Sequence, residues 1–437
     1  MTRLQEIMLA NKRDGKAGIY SCCSANRDVI RAAFFRARQS KEPVLIESTA
    51  NQVNQFGGYT GMTPADFAQF VFEIADEVGI EHERIILGGD HLGPLPWAHL
   101  PEDEAMRNAE QLVYDSVMAG YSKLHLDTAM RLGSDDPSTP FSVTTCAARG
   151  ARLAAVCEQA FSQLEDQDKR EPLNYIVGSE VPVPGGDVQV SVMGVTEATD
   201  ALKAVDIYRE EFAKAGLEDA FERVVAFVLE LGVEFHCWTL DEYDRKKTAE
   251  LIEAMRTTPF CIEGHSTDYQ TPEHLRQMCE DGVAILKVGP AFTFAVREVL
   301  FSLELIEREL FSPAAKILSD FRATLDRVMC DDPKDWEKYY LGSEEEQARA
   351  RSFSYYDRGR YYFGDPRVQE ARDILIRNLS GENIIPPPLL SQHLPVQYSR
   401  VKAGYIANEA DELLLDYVGS YIDDYLKATG YLPSLKS

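Results

Sequence analysis

Several stretches of this sequence set acids and imidazoles where they could share one reacting centre. GGDHLGP (88–94) places Asp90 beside His91, among glycines that let a backbone approach a ligand closely. Neutral imidazole is a ligand for Zn, Ni or Mn, and a neighbouring carboxylate can take or return a proton. The competing reading is a tight turn in which Asp90 caps a helix and His91 only packs. EGHSTDYQTP (263–272) offers His265 as a second ligand, with Glu263 to ligate or orient it. Ser266 and Thr267 could donate to a phosphate, or serve as the cap of the helix that follows. GSEVPVPGG (178–186) carries Glu180, either a base at a substrate hydroxyl or an organiser of its own Pro/Gly loop. VEFHCWTL supplies His236 as a third imidazole, against the ordinary fate of a lone histidine among apolar residues, which is packing. Lys287 in LKVGPAFTF is read as balancing a substrate phosphate, with a Schiff base or a lysine snorkelling past a rim as alternatives. Asp127 in HLDTA either faces the same pocket or closes its strand.

The elements that must position these residues follow from the apolar pattern. Eight short runs rich in Val, Ile or Leu read as buried parallel strands: 19–25, 43–49, 84–91, 123–129, 174–181, 223–230, 260–267 and 284–290. Amphipathic segments at 63–79, 101–120, 144–166, 196–216, 242–256, 272–281 and 292–310 read as helices between and after them. Thr63 and Pro64 form one start signal, and Gly120 one stop. Eight strand–helix units predict an α/β fold, a (β/α)8 TIM barrel over residues 1–310, with a doubly wound open sheet as the alternative. Residues 311–437 are helical in pattern and are expected to pack on the barrel, or on a partner subunit, as a C-terminal extension. In such a barrel the reactive groups sit at the carboxyl ends of the strands, where Glu47, Asp90, His91, Asp127, Glu180, His236, Glu263, His265 and Lys287 all fall. The amide-rich ESTANQVNQ (47–55), with Asn51 and Gln55, suits the reading of sugar hydroxyls or is plain loop polarity. FGGYTG (56–61) reads as a mobile loop over the mouth.

Composition narrows the function classes. The chain has 437 residues, 45 basic against 71 acidic, and a formal charge of −26. That field argues against nucleic acid and against an anionic membrane surface, so a phosphorylated substrate needs a local pocket. The first residues lack the apolar run of a signal peptide and no stretch reads as a transmembrane span, so a cytoplasmic protein is expected. The eight cysteines contain no CxxC pair and read as reduced core residues. No GxxxxGK[ST], GxSxG or strand-following GxGxxG occurs.

ESTANQVNQFGGYTGMTPADF, RIILGGDHLGP, GSEVPVPGG, EGHSTDYQT and AILKVGPAFTFAVRE together resemble the Z-type, so-called non-catalytic subunit family of class II tagatose-1,6-bisphosphate aldolase, over most of the chain. The resemblance implies a metal-dependent barrel of class II aldolase type. Its members include helpers of a class II aldolase catalytic subunit and C4 epimerases of tagatose, tagaturonate or tagatose 6-phosphate. It implies Asp90 as the acid/base aspartate, His91 and His265 as metal ligands, and Ser266 with the segment from Lys287 through Gly289 to Thr293 near the phosphate. VEFHCW departs from the His-Gly pattern of the aldolases at the middle ligand. The expected function is metal-dependent C4 epimerisation of a phosphorylated ketohexose, D-tagatose 6-phosphate to D-fructose 6-phosphate, in galactitol catabolism. The alternative is an accessory aldolase subunit, and a homo-oligomer is expected in either case.

Overall fold

A computed structural model describes residues 1–38, 42–165, 170–179, 194–314, 316–381 and 384–432. The apolar runs form the parallel strands β1 (Ile19–Cys23), β2 (Val44–Thr49), β3 (Ile85–Leu92), β4 (Lys123–Leu126), β5 (Asn174–Val177) and β6 (Val224–Val228). A short antiparallel hairpin follows, β7 (Glu234–Phe235) with β8 (Leu240–Asp241), and then the parallel strands β9 (Cys261–Gly264) and β10 (Val283–Val288). Hydrogen bonds join β1 through β6, β9 and β10 in sequence and return from β10 to β1, closing a (β/α)8 barrel as the apolar pattern predicts.

Five of the helices up to residue 310 begin at a side-chain cap, from Thr2, Asn26, Thr63, Ser142 and Thr271, that satisfies free N–H groups. In order, the helices of this stretch are α1 (Arg3–Asp14), α2 (Arg27–Ala37), α3 (Pro64–Val78), α4 (Glu102–Met118), α5 (Val143–Ser162), α6 (Ala198–Lys214), the single turn α7 (Glu218–Phe221), α8 (Ala249–Arg256), α9 (Pro272–Glu280) and α10 (Pro290–Leu310). The expected start at Thr63–Pro64 is a capping box, with Thr63 and Asp66 bonding each other's backbone N–H. The helix expected over 242–256 is shorter than its pattern, because Leu240 and Asp241 pair with the hairpin and the helix starts only at Ala249.

Helix α1 was not anticipated. Its Leu4 and Met8 fill the lower end of the barrel against Ile19, Leu45, Ile86, Ile176 and Ile285. Beyond α10 come α11 (Phe321–Asp331), α12 (Glu344–Phe353), α13 (Pro366–Leu379), α14 (Pro387–His393), α15 (Pro395–Lys402) and α16 (Ala410–Ala428). Helix α16 returns to pack on α2, α9, α10 and β1, covering the seam between the first and last strands. A buried ion pair holds it there: Arg36 Nη1 lies 3.0 Å from Asp416 and Arg36 Nε 2.9 Å from Asp423. Tyr425 of α16 reaches Tyr20 and Phe292, and its hydroxyl donates to the Thr267 carbonyl at 2.9 Å. All eight cysteines are free, and among the described residues no helix is long and apolar enough to cross a membrane.

Candidate functional site

Inward side chains along a strand recur every second residue, so each strand stacks its inner residues in layers. Above the apolar floor, Leu45 gives way to Glu47, Ile285 to Lys287 and Cys261 to Glu263, with Lys123 at the same level. These groups form a fully buried charge layer. Lys123 Nζ lies 2.7 Å from Glu47 Oε1 and 2.6 Å from Glu263 Oε2, while Lys287 Nζ lies 3.1 Å from Glu47 Oε2 and also contacts Asp90. Two residues further up, Lys123 is followed by His125 and Glu263 by His265. Gly88 has no side chain because a Cβ there would sit 2.6 Å from the Glu47 carboxylate.

The next layer holds Asp90 and the imidazoles. Asp90 points inward in register, and strict alternation would turn His91 out. Instead the β3–β4 ladder slips between Gly89 and Leu92, and His91 takes φ +47°, in the left-handed region that non-glycine residues rarely occupy. That turn brings both side chains into the mouth. Gly93 then passes so close to β4 that a Cβ would fall 1.7 Å from the Asp127 carbonyl oxygen. Ser266, beside His265, is similarly turned at φ +53°.

The result is a buried group of Asp90, His91, His125 and His265 whose potential ligand atoms all lie within 4.8 Å of one another. The three imidazole centroids form a nearly equilateral triangle, 5.0 Å from His91 to His125, 4.9 Å from His91 to His265 and 5.1 Å from His125 to His265. Carboxylates orient the rings from behind. His91 Nδ1 is 2.8 Å from Asp127 Oδ2, and His265 Nε2 is 3.1 Å from Glu263 Oε1. His125 Nδ1 sits 3.1 Å from Asp90 Oδ1, and its Nε2 is buried with no hydrogen-bond partner among the described residues.

These residues fit a divalent cation on two observations. One is the donor set itself, a carboxylate and three imidazoles whose ligand atoms converge within 4.8 Å. The other is charge: Glu47, Asp90 and Glu263 face two ammonium groups, Lys123 and Lys287, while Asp127 adds a fourth buried carboxylate beside His91. Burial lowers the His265 pKa to about 3 and lowers that of His125 as well, which favours the neutral imidazoles a metal requires. Burial alone would raise the Asp90 carboxyl, but His91 and Lys287 hold it well below the usual range. Burial likewise opposes charge on Lys287, yet Asp90, Cys23 and Glu47 raise its ammonium well above the ordinary value.

Above this floor opens a cleft of about 840 Å³. Asp90, His91, His265, Ser266, Lys287 and Gly289 line it, with Asn51, Gln52 and Tyr59 from the β2–α3 loop and Arg360 and Tyr361 from the extension. The Tyr59 and Tyr361 rings meet at 4.7 Å, so the loop over 56–61 touches the extension across the mouth.

Other sequence-predicted site residues lie apart from this cleft. His236 stays in the hairpin, 2.9 Å from Asp241 Oδ2, and the third imidazole of the group is His125. Gln55 donates to the Asn108 carbonyl at 2.9 Å instead of facing the cleft. Glu47 is fully buried in the charge layer, and Asp127 supports His91 from behind. The Thr267 hydroxyl donates to the Lys287 carbonyl at 2.7 Å. Glu180 lies outside the described residues. His125 and Arg360 were missed. Lys123 and His125 stand two apart on β4 and Asp127 follows just past its end, a spacing that marks a shared face and would have pointed to His125.

A family model described as "D-tagatose-1,6-bisphosphate aldolase subunit GatZ/KbaZ-like" matches residues 4–430. The chain belongs to this family. As a GatZ/KbaZ-like protein it is similar to a solved structure from Sinorhizobium meliloti 1021, called a probable tagatose 6 phosphate kinase. That likeness has 45% identity and a TM-score of 0.85, over 94% of this chain and 100% of that one. Fainter likenesses join it to a fructose-bisphosphate aldolase of Campylobacter jejuni (12% identity, TM-score 0.44, 86% of this chain and 91% of that one) and to the YdjI aldolase of Escherichia coli K12 (11%, 0.40, 83% and 96%). At those values neither bears on function.

Proposed function

We propose that this GatZ/KbaZ-like protein is a metal-dependent epimerase that inverts C4 of D-tagatose 6-phosphate to give D-fructose 6-phosphate. The observation that carries the reading is the group of three imidazoles and Asp90, of which Asp90, His91 and His265 reach the floor of a cleft that the extension partly roofs and His125 lies buried behind them. His91, His125 and His265 would hold the divalent ion, Zn, Ni or Mn. When bound, the ion supplies Lewis acidity that lets the C1–C3 ketone fragment carry an electron pair.

Asp90 takes the proton of the C4 hydroxyl as the C3–C4 bond opens. The C4 oxygen becomes an aldehyde, and the electron pair stays with the C1–C3 fragment. The aldehyde turns, re-adds to C3 through its opposite face, and Asp90 returns the proton to the C4 oxygen. Lys287 and His125 hold Asp90 in place. Asn51 and Gln52 offer amides to sugar hydroxyls, and the Tyr59–Tyr361 contact helps retain both fragments against water. Lys287, set among carboxylates, suits charge balance better than a Schiff base, which needs a neutral amine.

NMR of the purified protein with tagatose 6-phosphate tests the reading. Fructose 6-phosphate should accumulate, stop on chelation and resume on adding back a divalent ion. An unchanged spectrum with every ion supplied defeats it. The description of the family as an aldolase subunit favours a second reading, an accessory partner of a class II aldolase. A complex on size exclusion with such an aldolase, without turnover by this chain alone, would support that reading. The kinase named for the Sinorhizobium meliloti structure gains no sequence motif here, since no GxxxxGK[ST] nucleotide loop occurs.

A further inference from the structure

The strand-end loops where a phosphate was expected have already spent donors on the chain itself. The Thr267 hydroxyl is on the Lys287 carbonyl, and the N–H groups of Gly289 and Ala291 donate to the Asp268 carboxylate at 3.1 and 2.7 Å. A buried carboxylate therefore occupies the N-terminus of α10, where an anionic ligand would otherwise sit.

Four cationic side chains line the cleft: Arg27, Lys287, Lys334 and Arg360. Three are neutralised, Arg27 by Glu77, Lys334 by Asp332 at 2.7 Å, and Lys287 by Asp90 and Glu47. Arg360 alone makes no direct ion pair among the described residues; Asp357, Asp268 and Asp335 feel its charge from farther away. Its Nη1 donates to the carbonyls of Tyr356 and Asp357 and its Nη2 to the Tyr361 hydroxyl at 3.3 Å, while Nε has no acceptor among the described residues. The turn that carries it is rigidly mounted. Asp357 accepts from Thr293 at 2.7 Å and from Arg297 at 3.0 Å, and the Arg358 N–H donates to the Tyr340 hydroxyl at 3.0 Å.

We propose that Arg360, on the C-terminal extension, is the residue that binds the phosphate of the sugar, with its Nε–Nη2 edge turned to the phosphate oxygens. This rests on the sugar-phosphate reading above and assigns its anionic subsite to the tail instead of to the barrel loops. A guanidinium fork suits a phosphate monoester because it offers parallel donors and a charge that never titrates. A mount that is already fixed spares the cost of ordering on binding.

Calorimetric titration of the full chain with tagatose 6-phosphate and with tagatose tests it, on the wild type, Arg360→Gln and Arg360→Lys. The preference of the wild type for the phosphorylated sugar should fall roughly 10- to 100-fold in Arg360→Gln. It should fall by a smaller factor in Arg360→Lys, which keeps the charge without the fork. General damage to the turn weakens both sugars together and leaves the ratio unchanged. A ratio unchanged in the variants overturns the proposal, and so does a wild type with no preference. Arg360-dependent preference without turnover would uphold this subsite and sink the epimerase, whereas turnover with an unchanged ratio would do the reverse.

Discussion

Replacing Lys123 with methionine removes the keystone of the buried charge layer while keeping nearly the same volume. Lys123 is fully buried, and its ammonium is the nearest positive charge to both Glu47 and Glu263, at 2.7 and 2.6 Å. At an effective dielectric near 20, each contact carries about 6 kcal/mol of Coulomb attraction, most of it offset by the desolvation of the partners. What the variant loses is therefore set by the carboxylates it strands, and removing one partner of a buried pair costs about 3–5 kcal/mol. Lys287 remains 3.1 Å from Glu47 and 3.8 Å from Glu263, which limits the loss but does not replace the bond. Urea unfolding followed by circular dichroism at neutral pH should show a loss of about 3–5 kcal/mol. Glu47→Gln combined with Lys123→Met should regain much of it, because one stranded charge is gone. A cost below about 1 kcal/mol, within the range of an exposed pair, would refute the reasoning. So would a double variant no more stable than the single one.

Three further outcomes follow from the site. His125→Ala should abolish tight binding of a divalent ion, whereas His236→Ala should leave it intact, as elemental analysis of dialysed protein can read; equal retention by both would remove His125 from the ligand set. Asp127→Asn, by loosening the support of His91, should cost about 10- to 100-fold in metal affinity by competition with a chelating dye. Burial raises the Asp268 carboxyl to about 6, although it accepts the Ala291 and Gly289 N–H groups. Its folded pKa exceeds the unfolded value, so the folded state binds the proton more tightly and this contribution to stability is lost as pH rises from about 4 through about 6. Asp268→Asn should not show that decline. Its stability relative to wild type should rise by on the order of 2–3 kcal/mol between pH 4 and 7 in paired urea titrations, and a flat difference would contradict it.

The barrel was legible because each strand is an apolar run with its own boundary signals: six of the eight runs contain their strands whole, and the other two each miss one end residue, Leu92 and Val283. Asp90, His91 and His265 were legible because glycines and strand ends flag them. His125 was hidden inside KLHLDTA, where attention to Asp127 overlooked the two-residue spacing that puts Lys123, His125 and Asp127 on one face. His236 was misleading for the opposite reason. It follows an apolar strand in sequence, but the chain doubles back into a hairpin that holds it against Asp241. Arg360 stands in RYY (360–362), a stretch that shares the family resemblance but assigns this arginine no role. Its meaning depends on a tail folding back over the mouth, and on which other cations have already found partners.

The seam between β1 and β10 is covered by α16, which lies well over a hundred residues beyond β10 in the chain. During synthesis, then, every strand of the cylinder leaves the ribosome before the stave that sheathes its joint. Until residues 410–428 arrive, the apolar flanks of α2 and α9 stand bare. A nascent chain in that state is a natural client for a holding chaperone, and a message cut short before α16 would yield a barrel whose joint stays uncovered.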